Sequence, residues 1–219
     1  VKTVTRRTFC ATEAPNNHYL KSVDFTNAYR LEEIGDRAFN YCPDAKFTGL
    51  NGQYPLKKIC FDAFYDCDNL ETFDFGSEID VIEANAFNDC DNLKVLVIPA
   101  SLSTLKEKAF EDCENLQAVM FEDSEYSINF STLSSNFDGC KKLATLHINR
   151  EILYDQLNED NNSPFSSASS TLTHVVIGPR VTMVGGGLLL GLDALSSVTF
   201  EYSPKPLRFL RTPGADLYT

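Results

Sequence analysis

Thiols, carboxylates and imidazoles recur in this chain at spacings that could support chemistry. Cys67, Cys90 and Cys113 lie 23 residues apart, each three residues after a phenylalanine (Phe64, Phe87, Phe110) and three before a leucine (Leu70, Leu93, Leu116). If the chain coils once per period, the sulfurs stack at about 4.8 Å, the spacing of paired strands, and a metal or redox ladder becomes conceivable. Metal centres, however, draw converging ligands from short spacings such as two cysteines separated by two residues, whereas one sulfur per coil supplies a single ligand. The preferred reading is a column of small buried apolar residues at an inward slot. Cys10 and Cys60 fall off the column, and with seven cysteines at least one thiol is unpaired within the chain.

The carboxylates form a second column. Asp66, Asp89 and Asp112, with companions Asp68, Asp91 and Glu114, repeat at the same period, and residues 60–125 hold 17 Asp and Glu against 3 Lys and Arg. Stacked carboxylates suit Ca2+, which takes about six to eight oxygens. The alternative, which is favoured, makes them solvated turn residues, with Asn69, Asn92 and Asn115 bonding loop backbone between coils. Of the imidazoles, His147 and His174 are expected on adjacent strands without a third ligand, which reads as surface histidine rather than zinc. His18 lies in the N-terminal segment and carries no motif.

Other chemistry is excluded more simply. Gly185 to Gly191 lacks the Lys-Ser/Thr of a phosphate-binding loop and falls where other units carry Ala-Phe, so it reads as a worn repeat. No Gly-x-Ser-x-Gly, His-Glu-x-x-His or Cys/His couple is present. With three histidines and no convergent constellation, the chain is expected not to be an enzyme and to need no cofactor. A net charge of −12 argues against a nucleic-acid partner, because such proteins neutralise phosphates with Lys and Arg. No run of about 18 apolar residues spans a membrane. Val1 to Ala14 lacks the apolar run of a signal peptide, and Cys10 follows no lipoprotein box. Asn129 and Asn161 head glycosylation patterns relevant only in a eukaryotic secretory host.

The elements that would position these residues are repeats. AFYDCDNLETFDF, AFNDCDNLKVLVI and AFEDCENLQAVMF align in register. The pattern extends to Ala38, Phe39, Tyr41 and Cys42, then to Phe137, Cys140, Leu143, Leu146 and Ile148. Its strand half alone recurs at Leu20-Val23-Phe25, Leu172-Val175-Ile177 and Leu195-Val198-Phe200, which gives about eight coils. The spacing L-x-x-L-x-L turns three apolar residues inward on a strand, and the Ala-Phe stretch closes the other side as a short helix or turn, its Ala letting coils approach and its Phe filling the interior. The expected fold is α/β: a right-handed solenoid with one parallel sheet on its concave side and short helices or turns on its convex side, stable only through stacking of neighbours. Residues 1–19 and 201–219 are expected as caps, the latter with Pro204, Pro206, Pro213, Leu207, Phe209 and Leu210. Residues 149–171 are expected as an irregular insertion, with Ile152, Leu153 and Leu157 on a helix and exposed loops at Asn158 to Ser163 and Ser166 to Ser170.

On each strand the intervening residues face outward: Thr72 and Asp74, Val95 and Val97, Ala118 and Met120, Thr145 and His147, His174 and Val176, Ser197 and Thr199. Val95, Val97, Ala118 and Met120 would form an exposed apolar patch, which marks an interaction site or reflects strand propensity alone. The candidate ligand-binding residues are Asp74, Val95, Val97, Met120, His147 and His174.

The run Leu93 to Pro99, with Ala-Phe and Cys ahead of it, resembles the BspA-type leucine-rich repeat over roughly residues 20–200. Asn136 beside Phe137, where the pattern has Ala, and residues 149–171 depart from it. The resemblance implies a secreted or surface protein of bacteria of mouth and gut, or of mucosal protists, that binds a protein or glycan of a host or neighbouring cell. The leading reading is a binding module that engages its partner through the concave sheet or the loop inserted at 149–171; a structural spacer within a larger surface protein is the alternative, and fold predicts ligand poorly.

Overall fold

The structure is a computed structural model that describes residues 1–10, 19–129, 135–153, 163–185, 187–202 and 207–209. The strand halves of the repeats form a parallel five-stranded sheet in which Val95–Ile98, Ala118–Phe121, Thr145–Ile148, His174–Ile177 and Ser197–Phe200 lie side by side. This long-strand sheet alternates as a half-buried strand should: Leu96, Ile98, Val119 and Phe121 are fully buried, while Val95, Val97 and Met120 point out. Ser22–Asp24 and Lys46–Thr48 pair in the same way further towards the N-terminus.

A second parallel sheet corrects the expectation of a single one. Thr3–Val4, Glu33–Ile34, Lys58–Ile59, Val81–Ile82 and Thr104–Leu105 form five short strands. Two further pairs follow, Ile128–Asn129 with Ile152–Leu153 and Met183–Val184 with Arg208–Phe209. The pattern of Ile34, Ile59, Ile82 and Leu105, each buried at the end of its short strand, repeats at the coil period and was readable as a second inward column.

Of the short helices or turns expected on the other side, the described residues show turns. Among the described residues there is no α-helix, only one 3-10 turn at Ser166–Ala168, and no helix is long and apolar enough to cross a membrane. The physical reason lies in the Ala-Phe turns. Arg37 and Tyr41, Asp62 and Asp66, Asn85 and Asp89, and Lys108 and Asp112 all have φ between 54° and 61°. Left-handed residues four positions apart interrupt any right-handed helix. The backbone groups bond to the next coil instead: Phe39 N donates to Ala63 O, Phe64 N to Ala86 O and Phe87 N to Ala109 O, each at 2.8 Å.

Inside, two columns hold the coils together. The rings of Phe9, Phe39, Phe64, Phe87, Phe110, Phe137 and Phe165 stack in order, with centroids 5.2, 5.2, 5.1, 5.3, 6.0 and 5.3 Å apart. Offset aromatic stacking adds to the area each ring removes from water. Beside them the thiols of Cys67, Cys90 and Cys113 each donate to a phenylalanine carbonyl of the preceding coil, Phe39 O, Phe64 O and Phe87 O, at 3.2 Å. Cys140 does the same to Phe110 O at 3.3 Å. The column therefore satisfies a row of buried acceptors that an alanine would leave unpaired.

The stack extends beyond the bounds read from the sequence. Phe9 occupies the phenylalanine slot ahead of the Leu20 coil, its N bonded to Ala38 O at 2.8 Å, and Thr3–Val4 pairs with Glu33–Ile34, so residues 1–10 join the array. Within 149–171 the described residues continue the repeat, while residues 154–162 lie outside them. Ile152–Leu153 is a strand and not part of a helix, Phe165 and Ala168 are fully buried in the phenylalanine and cysteine columns, and Ser166 to Ser170 forms the turn that follows. The coil was obscured because 29 residues separate Thr145 from its partner His174, against 23 between Val95 and Ala118. In the Gly185 to Gly191 run, Leu188 is buried at the alanine slot. Leu157, His18, Asn161, Leu210, Pro204, Pro206 and Pro213 lie outside the described residues.

Candidate binding surface

The long-strand sheet places five of the six candidate residues, all but Asp74, in two parallel rows. One row runs Val95, Ala118, Thr145, His174, Ser197, and the other Val97, Met120, His147, Val176, Thr199. His147 and His174 thus sit diagonally on neighbouring strands. His174 Nδ1 is hydrogen-bonded to Ser197 Oγ. Val176, expected outward, is 7% exposed, whereas Val95, Val97 and Met120 are 52%, 37% and 37% exposed.

The sheet does not continue past Val95 towards the N-terminus. Among the described residues, Thr72 to Asp74 pairs with the preceding coil as a strand only at an isolated bridge between Asn51 and Asp74. Two glycines with left-handed φ shape the break, and a Cβ on Gly52 would lie 2.6 Å from Asp74 Oδ1, while one on Gly76 would lie 2.7 Å from Gly52 O. Asp74 is locked by these turns: its Oδ1 accepts from Gly76 N at 2.9 Å, and its carbonyl accepts from the Tyr54 hydroxyl at 2.7 Å. The break opens a cleft of about 420 Å3 walled by Leu50, Asp74, Gly76, Val95, Val97 and Glu122.

Asp74, Val95 and Val97 therefore share one cleft, and Met120 lies beside Val97 on the next strand. His147 follows Met120 in the same row, and His174 is not part of the cleft. Leu50 and Glu122 were missed: Leu50 precedes a turn that follows no repeat, and Glu122 lies just beyond its strand, where inward-outward alternation ends. Pro99, on the cleft wall, is held from behind by fully buried Arg150, whose Nη1 donates to Pro99 O at 3.1 Å and Nε to Tyr126 O at 2.9 Å.

Neither column that could have carried chemistry is arranged for it. None of the seven cysteines is in a disulfide. Burial pushes the Cys42 and Cys113 thiols up to about 12, and raises those of Cys67, Cys90 and Cys140 well above the ordinary range, so these are not thiolates. Asp66, Asp89 and Asp112 hold the left-handed position before each cysteine, which Gly139 takes in the next coil. Asp tolerates that conformation better than most residues, so backbone geometry accounts for the column. Burial and then neighbouring carboxylates raise the Asp89 and Asp112 carboxyls, with Lys141 and Lys108 partly offsetting the rise at Asp112. Among the described residues, three metal-competent side chains converge only at Asp36, Cys60 and Glu83, and there Glu83 is paired with Lys58 at 3.0 Å and Lys106 at 3.5 Å.

Comparison with solved structures gives the same architecture. The leucine-rich repeat protein of T. pallidum aligns with a TM-score of 0.53 at 21% identity, over 93% of this chain and 80% of that one. The pneumococcal vaccine antigen PcpA aligns with a TM-score of 0.54 at 18% identity, over 86% of this chain and 43% of that one. These likenesses concern the fold. No curated protein matches the sequence. Residues 12–136, more than half of the chain, match the BspA type leucine-rich repeat region in six copies, and the chain belongs to that family.

Proposed function

We propose that this chain is a non-enzymatic, secreted or cell-surface binding module, adhesin-like, that engages a protein or glycan of a host or neighbouring cell through its long-strand face. The observation that carries the reading is the cleft at the break in the sheet, where exposed Val95 and Val97 stand between the carboxylates of Asp74 and Glu122, with Met120 alongside. Contiguous exposed apolar side chains on a rigid sheet, rimmed by charge, are what a partner's hydrophobic anchor requires. Asp74 and Glu122 would orient the partner, Val95, Val97 and Met120 would bury its apolar atoms, and His147 and His174 would extend the contact along the sheet. A bacterial surface location accords with the family and with the vaccine antigen PcpA among the structural relatives.

The test is binding of the purified chain to extracellular-matrix proteins and mucin glycans, beside a Val97→Lys, Met120→Lys variant. Two buried cations at the centre of an interface should weaken binding at least about tenfold. Undiminished binding by a folded variant would remove the long-strand face from consideration, and no binding by either would favour the spacer reading.

A further inference from the structure

On the turn face, a second cavity of about 420 Å3 is walled by Arg7, Arg37, Tyr41, Asp62, Tyr65 and Asn85. Arg7, Arg37, Asp62 and Asn85 occupy the same left-handed turn position in four successive coils, at φ 55°, 54°, 54° and 54°. Asp and Asn adopt that conformation readily, and arginine does so at a cost. Tyr41, at φ 59°, fills the second left-handed position, which Asp66, Asp89, Asp112 and Gly139 take in later coils. A bulky aromatic is poorly suited to it, and such strain gathers where a ligand is held. Arg7, Arg37 and Tyr41 therefore stand where the backbone resists such residues, as Lys108 does at φ 58° in a later coil.

The groups are arranged as well as present. Arg37 Nε donates to Asp62 Oδ2 at 2.9 Å, and its guanidinium lies 5.2 Å from the Phe61 ring centre. Asp62 also accepts from Asn85 Nδ2 at 3.1 Å, which leaves Asn85 Oδ1 buried without a partner. Arg7 is exposed and makes no ion pair among the described residues. The Tyr41 and Tyr65 rings meet edge to face at 5.3 Å.

We propose that this cavity binds an acidic sugar, a pyranose ring carrying a carboxylate. Arg7 takes the carboxylate in a charge-assisted pair with Arg37 adding field, the tyrosine rings cover the apolar C–H face of the sugar, and Asn85 Oδ1 accepts from a ring hydroxyl. An acyclic carboxylate, such as an acidic side chain of a peptide, would use the arginines but neither the rings nor the free acceptor. The site lies on a different face from the long-strand cleft, so either proposal can fail without the other.

The test is an amide NMR titration of the full chain with methyl glucuronoside, methyl glucoside and N-acetylaspartamide. Methyl glucuronoside should give saturable shifts at residues 7, 37, 41, 65 and 85, with methyl glucoside and N-acetylaspartamide each at least about tenfold weaker. Arg7→Gln, at an exposed position, should weaken glucuronoside binding by a similar factor with an unchanged melting temperature, and Tyr65→Ala should weaken it as well. No saturable shift with glucuronoside, equal affinity for glucoside or for N-acetylaspartamide, or undiminished binding by Arg7→Gln would overturn the proposal.

Discussion

The interior of this solenoid repeats itself, and its long-strand face does not. From Phe9 to Phe165 the same ring stacks on the same ring, and from Cys67 to Cys140 the same thiol caps the same carbonyl. Over the same coils the outward positions pass from Asp74 through Val95, Val97 and Met120 to His147 and His174. The interior has one solution because each coil must present to its neighbour the surface that it meets on the other side. The face is under no such constraint, so its departures from the repeat are where a specific partner would be read.

If that division is right, substitutions should separate by location. The largest effect is expected at the ring stack, where Phe87→Ala should lower unfolding free energy by about 3–5 kcal/mol in a urea melt. An unchanged midpoint would contradict a fully buried ring in contact with four others. Next comes the thiol column. Cys90→Ala should cost about 1–3 kcal/mol by leaving Phe64 O unpaired, and Cys90→Ser, which keeps a donor, should cost less. At the turn position, Asp89→Val should cost roughly 1–2 kcal/mol, because a β-branched residue resists left-handed φ, while Asp89→Asn should be tolerated.

A smaller effect follows from the acidic column. Burial, then neighbouring carboxylates, raise the Asp68, Asp89 and Asp112 carboxyls above their ordinary 3.8, so the native state binds protons more tightly than the unfolded chain does. Stability should therefore rise as pH falls from neutral through the raised native values towards 3.8, and the gain from these three groups should be complete below it. Glu114, lowered by its bond to Lys141, acts in the opposite direction. The rise should therefore show as a difference in thermal melts between the parent chain and an Asp68→Asn, Asp89→Asn, Asp112→Asn variant; added salt should reduce it by screening, and EDTA should leave the melting temperature unchanged. The smallest effect belongs to the face itself: Val97→Lys should alter stability by no more than about 0.5 kcal/mol.

The same division decided what could be read from the sequence. The columns of Phe, Cys and inward Leu, the strands that follow them and the outward identity of Val95, Val97 and Met120 were legible because each recurs at a fixed period. The choice between helix and turn at the Ala-Phe segments stayed open, because they look helical until two left-handed residues four apart, such as Asp62 and Asp66, are recognised as a pair. Phe165 was hidden by the longer coil before His174, and Phe9 by the absence of an adjacent cysteine at the column position. In the cleft, Asp74, Val95 and Val97 were foreseen as outward residues, but the break that brings Leu50 and Glu122 to them depends on Gly52 and Gly76, which follow no repeat.

The chain offers its own probe of the central claim, because it has two methionines, Met120 on the long-strand face and Met183 on a short strand outside that sheet, paired with Arg208–Phe209. Peroxide oxidation of each can be followed by mass spectrometry with and without a saturating matrix protein or mucin glycan that the chain binds. Binding through the long-strand face predicts that Met120 sulfoxide forms several-fold more slowly in the complex while Met183 is unaffected. Unchanged oxidation of Met120 at saturation would contradict it.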